Sequence, residues 1–253
     1  MILLTNFKYG KIFISDKDFY IGQCLFNYGE YCEEEVDVFK QVLRNDDNVI
    51  EVGANIGSLS VPISQSIKNG ILYAIEPQQY IFNMLCANVA VNNLNNVKPK
   101  LLAIGDSIKE IKMPIINYEQ MNNFGGISIN GEYNGEVIKQ TTLDSMFPDL
   151  SSLRLIKIDV EGMEFDVLNG AKDLIEKHRP HIYCEFDRPE NNEKILKLFN
   201  ELDYDVYKHI SNLYHVTNFK NKSENVFDKA YICINVLAIP KELGFKTNLI
   251  KIN

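Results

Sequence analysis

The chain has 253 residues, 45% of them hydrophobic, enough for one large domain with a sizeable core. Its 26 basic and 34 acidic residues give a net charge of −8, and no basic run interleaves with aromatics, which argues against a protein that grips phosphate backbones. No apolar stretch approaches the ~20 residues of a membrane span, and the opening residues are too short for a secretory signal, so a soluble, cytoplasmic protein without a nucleic-acid partner is expected.

Residues 1–44 read as an N-terminal extension: short strands around 11–14 and 18–23, then a helix over 33–43 with Val36, Phe39, Val42 and Leu43 on one face. This segment is placed to cap the mouth of a binding site. Residues 45–253 read as one domain. A strand over 48–53 runs into Glu51-Val52-Gly53-Ala54-Asn55-Ile56-Gly57-Ser58, and a helix to residue 68 follows, with Leu59, Ile63 and Ile67 at helical spacing. A sharp strand-to-helix turn needs residues without a bulky Cβ and leaves backbone N–H groups free for a small polar ligand.

The next strand, 71–75, is a continuous apolar run of the kind buried on both faces, and it ends in Glu76. An acid about 20 residues after a glycine turn accepts hydrogen bonds from ribose hydroxyls in nucleotide-binding βαβ units. Asn55 stands where the middle glycine of G-x-G-x-x-G would be, so a pyrophosphate approaches the backbone less closely and a nicotinamide cofactor is disfavoured.

A helix over 78–91 and a strand over 97–104 continue the alternation. Residues 106–142 interrupt it with two turn signals, 122–126 and 131–135, and read as an inserted hairpin or lid that helps set ligand specificity. The rhythm resumes with a strand over 153–159, a helix over 164–178, a strand over 181–186, a helix over 190–202, and strands over 205–209 and 231–239. The predicted fold is therefore α/β, a doubly wound, Rossmann-like, seven-stranded and mostly parallel sheet with an antiparallel last strand. Cys24, Cys32, Cys86, Cys184 and Cys233 are scattered, never in a C-x-x-C pair, and read as reduced, mostly packed thiols.

Three sets of residues bear a resemblance to a known family: Glu51 to Gly57; Thr142, Leu143 and Asp144; and Ile156 to Gly162 followed by Val167 to Gly170, Arg179, Pro180 and Glu185. In this order they resemble the FkbM family of O-methyltransferases, of the class I S-adenosylmethionine (SAM) fold. The resemblance implies that Gly53, Ala54, Asn55 and Gly57 surround the amino-acid part of SAM with Glu51 beneath it. It also implies that Glu76 holds the ribose, and that Ile104, Gly105 and Asp106 meet the adenine. For Asp106, a turn-capping role toward Ser107 is an open alternative. The implied acceptor is a hydroxyl of a carbohydrate or nucleotide sugar.

Ligands of such sheets bind outside the carboxyl ends of the strands, which puts Asp159, Glu161 and Glu185 beside the transferred methyl, with Asp187 adjacent. A positioned carboxylate can take the acceptor's proton, and Glu161, helped by Asp159 and Glu185, is the expected base. Capping of the helix that follows is the alternative for Asp159 and Glu161. No metal is predicted, although Mg²⁺ on these acids is an alternative route to the same chemistry. Among the four histidines, only His215 is retained as an acceptor-site candidate. Competing readings are a nicotinamide-dependent oxidoreductase and a non-catalytic nucleotide-binding module. Methylation of nitrogen is disfavoured because Asp159-Val160-Glu161-Gly162 stands where a proline-rich turn would be expected.

Overall fold

The computed structural model describes residues 1–129, 131, 133–244 and 246–253; Glu132, within the second turn signal of the insertion, lies outside the described residues. A hairpin of β1 (Ile2–Phe7) and β2 (Gly10–Ser15) leads to α1 (Ile21–Asn27) and α2 (Glu33–Val42). Strand and helix then alternate through β3 (Val49–Val52), α3 (Ser60–Ser66), β4 (Leu72–Ile75), α4 (Gln79–Val91) and β5 (Val97–Lys100). A small separate sheet follows, built by β6 (Ala103–Ile104), β7 (Lys109–Lys112) and β8 (Val137–Thr141). The chain returns through α5 (Leu143–Met146), β9 (Leu155–Ile158), α6 (Glu164–Asn169), α7 (Lys172–His178), β10 (His181–Glu185) and α8 (Pro189–Glu201). It ends in β11 (Tyr204–Asn212), β12 (Ile232–Pro240) and the short β13 (Ile250–Lys251).

The central sheet has the order β13-β11-β12-β10-β9-β3-β4-β5. Strands β5, β4, β3, β9 and β10 are parallel, and β12 runs antiparallel between β10 and β11. Alternation of side chains along each strand divides the core between two faces. Ile50, Val52, Ile156 and Ile158 pack against Leu143, Val167, Ile175 and Phe199 of α5 to α8. On the other face Val49, Leu72 and Leu155 pack against Phe39, Leu59, Ile63 and Leu85 of α2 to α4. The same alternation turns Glu51 and Lys157 toward this second face, and the β3–β9 register sets them side by side.

The structure departs from the sequence reading in five places, the first being the strand β1, which was not expected. The stretch 18–23 is no strand: Asp18 Oδ1 accepts the Tyr20 N–H at 3.1 Å and closes a turn that opens α1. The run 97–104 stops at Lys100, and Ala103–Ile104 leaves to pair with β8. The helix over 164–178 is broken at Gly170, where a Cβ would lie 2.1 Å from the Gly105 carbonyl oxygen, so close backbone contact takes the place of a continuous helix. The sheet has an eighth strand, β13, which pairs only with Tyr207 and Lys208. Among the described residues, no helix is long and apolar enough to cross a membrane.

Candidate active site

The turn after β3 is built from its own backbone and pinned to the end of β4. Gly53 and Asn55 have φ of 82° and 50°, and Gly57 has φ of 88°, left-handed values that glycine adopts at least cost. The Gly53 and Ala54 N–H groups donate to the Ile75 carbonyl at 3.0 and 2.9 Å. Glu76 grips the turn from below: its Oε2 accepts the Asn55 N–H and its Oε1 accepts the Gln78 N–H, both at 2.9 Å. Gln78 in turn donates to the Phe124 carbonyl at 2.9 Å and accepts from the Tyr118 hydroxyl, which locks the inserted segment onto the turn.

Beneath the turn lies a buried charged array. Glu51 Oε2 accepts from the Ser60 hydroxyl at 2.5 Å. Lys157 Nζ stands 3.8 Å from Glu51 Oε1 and 3.1 Å from Asp159 Oδ2. Burial alone would lower the Lys157 ammonium, but Asp159, Glu51 and Glu35 outweigh it and hold the group above its ordinary value. Glu51 Oε1 is buried without a hydrogen-bond partner among the described residues, so one acceptor beneath the glycine turn remains open to a donor such as an ammonium group.

At the carboxyl ends of β9 and β10 the acids are organised by Arg188, which bonds Glu161 through one terminal nitrogen and reaches Glu185 at 2.7 Å and Asp187 at 3.0 Å through the other. Glu161 itself has φ of 57°, a sparsely populated conformation for a non-glycine residue. It does not cap the following helix: Glu164 Oε1 accepts the Val160 and Gly162 N–H groups at 3.3 and 2.9 Å and satisfies that turn. Burial, reinforced by Asp159 and opposed by Arg188, pushes the Glu161 carboxyl up to about 7.

Two connected cavities run over these groups. The larger, about 280 Å³, is lined by Glu51, Gly53, Ala54, Asn55, Glu76, Asp159, Glu161 and Glu185 on the sheet side. Tyr20, Tyr31 and Glu35 from the N-terminal segment, and Tyr231, Cys233 and Asn235 from the last strand region, close it opposite. The smaller, about 40 Å³, has Ile75, Ile104, Met163 and the inserted residues Met113, Ile127 and Ile129 as apolar walls. Both share Gly53, Glu76, Gln78, Gly125, Asp159 and Glu161.

Of the residues singled out from sequence, Gly57 supports the turn from outside the cavity lining. Asp106 lies off both cavities, where its carboxylate accepts from Ser107 at 2.8 Å and faces Lys109 at 3.8 Å. His215 also lies off them and pairs with Glu34 at 2.9 Å. Lys157, Arg188, Gln78, Glu35 and Asn235 were not anticipated. Only Lys157 left a trace in the sequence, a lone charge inside an apolar strand.

Glu35, Glu51 and Glu76 are pushed up by burial to about 8, 7 and 7, above the ordinary 4.5. In the folded protein they bind protons that the unfolded chain has released, so their contribution is fully present below about pH 4.5 and lost as pH rises through 7 to 8. The melting temperature of the ligand-free protein, measured at constant ionic strength, is expected to fall between pH 6 and pH 8. A flat or rising profile would mean these carboxyls are not held in the arrangement described.

A family model described as the methyltransferase FkbM domain matches residues 51–206, more than half of the chain. A protein named methyltransferase 1 from Beauveria bassiana is 22% identical over 151 residues, covering 51% of this chain and 60% of that protein. A tRNA(Phe) (4-demethylwyosine(37)-C(7)) aminocarboxypropyltransferase from Methanocaldococcus jannaschii is 29% identical over 94 residues, covering 37% of this chain and 35% of that protein. The chain thus spans less than two thirds of the length of these curated relatives. A precorrin-6y C5,15-methyltransferase structure from Geobacter metallireducens superposes with a TM-score of 0.52 at 13% identity, covering 82% of this chain and 89% of that one, a likeness of fold.

Proposed function

The chain belongs to the FkbM methyltransferase domain family, and from that premise we propose that it transfers a methyl group from SAM to a hydroxyl of a small carbohydrate or nucleotide-sugar acceptor. The observation that carries this reading is the continuity of a single cavity from the Gly53 turn to the acids after β9 and β10. When bound, SAM supplies an electrophilic methyl on a positively charged sulfur, open to in-line attack by the acceptor oxygen.

Each wall then has a task. The open Glu51 oxygen suits the ammonium of the amino-acid part, and the Glu76 carboxylate has lone pairs left for ribose hydroxyls beyond its two backbone bonds. Ile104, Met163 and the inserted Met113, Ile127 and Ile129 suit the flat apolar faces of adenine, so residues 106–142 serve the cofactor as well as the acceptor. Asp106 has no part in this reading. Glu161 takes the acceptor's proton, Arg188 orients its carboxylate, and Lys157 fixes Asp159. Tyr20, Tyr31 and Tyr231 offer ring faces against which a sugar can lie. The net charge of −8 and the cavity's enclosure favour a small acceptor over RNA, and a cytoplasmic setting belongs to the same reading.

Mass spectrometry of products from SAM and a panel of nucleotide sugars tests the proposal. A methyl mass increment on a sugar hydroxyl, together with thermal protection by S-adenosylhomocysteine (SAH) and none by NADH, is the expected result. Protection by NADH alone would instead favour the oxidoreductase reading.

A further inference from the structure

The wall opposite the glycine turn holds a second set of chemically competent groups. Cys32 caps α2 at its N-terminus, Glu35 lies in the first turn of that helix, and Cys233 comes from β12. The fold brings the two sulfurs to 3.3 Å across a separation of 201 residues, and the ligand atoms of all three side chains lie within 4.8 Å of one another. Cys32 and Glu35 are buried, at 1% and 4% exposure, while Glu35 and Cys233 also line the larger cavity.

Asp159, Glu161 and Glu185 form a comparable cluster, but Arg188 already sits among their oxygens and supplies the positive charge. Among the described residues, no positive charge stands within hydrogen-bond distance of Cys32, Glu35 and Cys233. Asn235 donates to Glu35 Oε1 at 3.0 Å, the Cys32 thiol also hydrogen-bonds Glu35, and the Tyr31 hydroxyl lies 3.9 Å from Cys233 Sγ, neutral contacts that supply no positive charge. The nearby ammonium, Lys157, is bonded to Asp159. Cys24, also close by, is turned away, its thiol directed at the Leu213 carbonyl.

We propose that Cys32, Glu35 and Cys233 bind one zinc ion in the wall of the reaction cavity, leaving a fourth position open toward the acceptor. Two thiolates and a carboxylate are too soft a set for Mg²⁺ and match Zn²⁺, and three protein ligands with one open position are the pattern of reactive rather than structural zinc sites. With Zn–S bonds of about 2.3 Å, tetrahedral geometry sets the sulfurs roughly 3.8 Å apart, so the two sulfurs need to separate by only about half an ångström, with the Glu35 carboxylate drawing in to close the set. Binding releases the two thiol protons and the Glu35 proton to solvent. The resulting cluster carries one net negative charge. No oxidation or reduction is involved. The role of the open position, to hold the acceptor hydroxyl and lower its pKa, rests on the proposed methyl transfer to oxygen. The metal site itself does not.

The test is made on the full chain purified without chelators. Elemental analysis is expected to find one zinc per chain, and Co²⁺ replacement is expected to give a thiolate-to-cobalt charge-transfer absorption. Competition with a chromophoric chelator should show zinc affinity falling ~100-fold or more in Cys233→Ser and in Cys32→Ser, and staying unchanged in Glu161→Gln. Circular dichroism confirms that each variant is folded, and the cobalt spectrum of the wild type stands if one is not. The proposal is overturned if the wild type takes up no zinc at micromolar concentrations, if the cysteine variants bind it equally well, or if Glu161→Gln removes it. Peptide mapping that finds Cys32 and Cys233 joined as a disulfide in the purified protein also overturns it. Absence of methylated sugar alongside bound zinc would count against the acceptor assignment alone.

Discussion

Replacing Glu161 by glutamine is expected to leave the fold and SAH affinity intact and to lower kcat at least ~100-fold, the usual contribution of a positioned general base. The side chain sits where strands β9 and β10 end, lines both cavities and is held by Arg188. Glutamine keeps an oxygen for Arg188 and nearly the same volume, so the change isolates the ability to accept a proton. Burial and Asp159 together push the carboxyl up to about 7. Wild-type kcat should therefore rise as pH increases through neutrality while the variant shows no such rise. Calorimetry with SAH, a melting curve and the pH profile of turnover separate this from a structural effect. Turnover at the wild-type level would assign the proton to another group, with Asp159 and Glu185 next to be tested.

The elements that hold this site were legible in the sequence for a physical reason. Parallel strands buried on both faces read as short, largely apolar runs; β4 is unbroken, β3 and β9 each carry a single charge, Glu51 and Lys157, and each run leads into the acid or glycine that matters. Failures came where tertiary contact overrides local pattern. Phe19, Tyr20 and Ile21 have strand-like side chains, yet the Asp18 turn holds the first two and Ile21 opens α1. Gly170 breaks a regular helical periodicity because the Gly105 backbone presses against it. The partners in the site are the least legible class of all. Arg188, Glu35, Asn235 and the Cys32–Cys233 pair become functional neighbours only through sheet order and the packing of α2, and neither leaves a short-range signature. The inserted segment reads as polar turns, and the three apolar residues it contributes to the smaller cavity are hidden among them.

Gly53→Ala is expected to be far more damaging than its one added carbon suggests. The residue has φ of 82°, a region that costs an L-residue roughly 1–2 kcal/mol, and an added Cβ would lie 1.7 Å from the Asp159 carbonyl oxygen. That oxygen belongs to rigid backbone, because the Asp159 N–H is bonded to the Val52 carbonyl at 3.0 Å and β3 and β9 are adjacent strands. Relief therefore requires prising apart the ends of the two strands that carry the glycine turn and the acids. A total cost of ~3 kcal/mol or more, and a fall in melting temperature of roughly 10 °C, follow from strain and overlap at such a site. SAH affinity should drop at least ~100-fold, since the turn and Glu51 move with the strand end. Gly57→Ala supplies the internal comparison. Its φ of 88° carries similar strain, but the nearest obstacle is the Leu85 Cδ1 at 2.9 Å, the tip of a side chain that can rotate away. The alanine at 57 should accordingly lose less stability and retain measurable SAH binding. Equal melting temperatures for the two variants, or unchanged SAH affinity in Gly53→Ala, would show that the strand ends separate more easily than their hydrogen bonding implies.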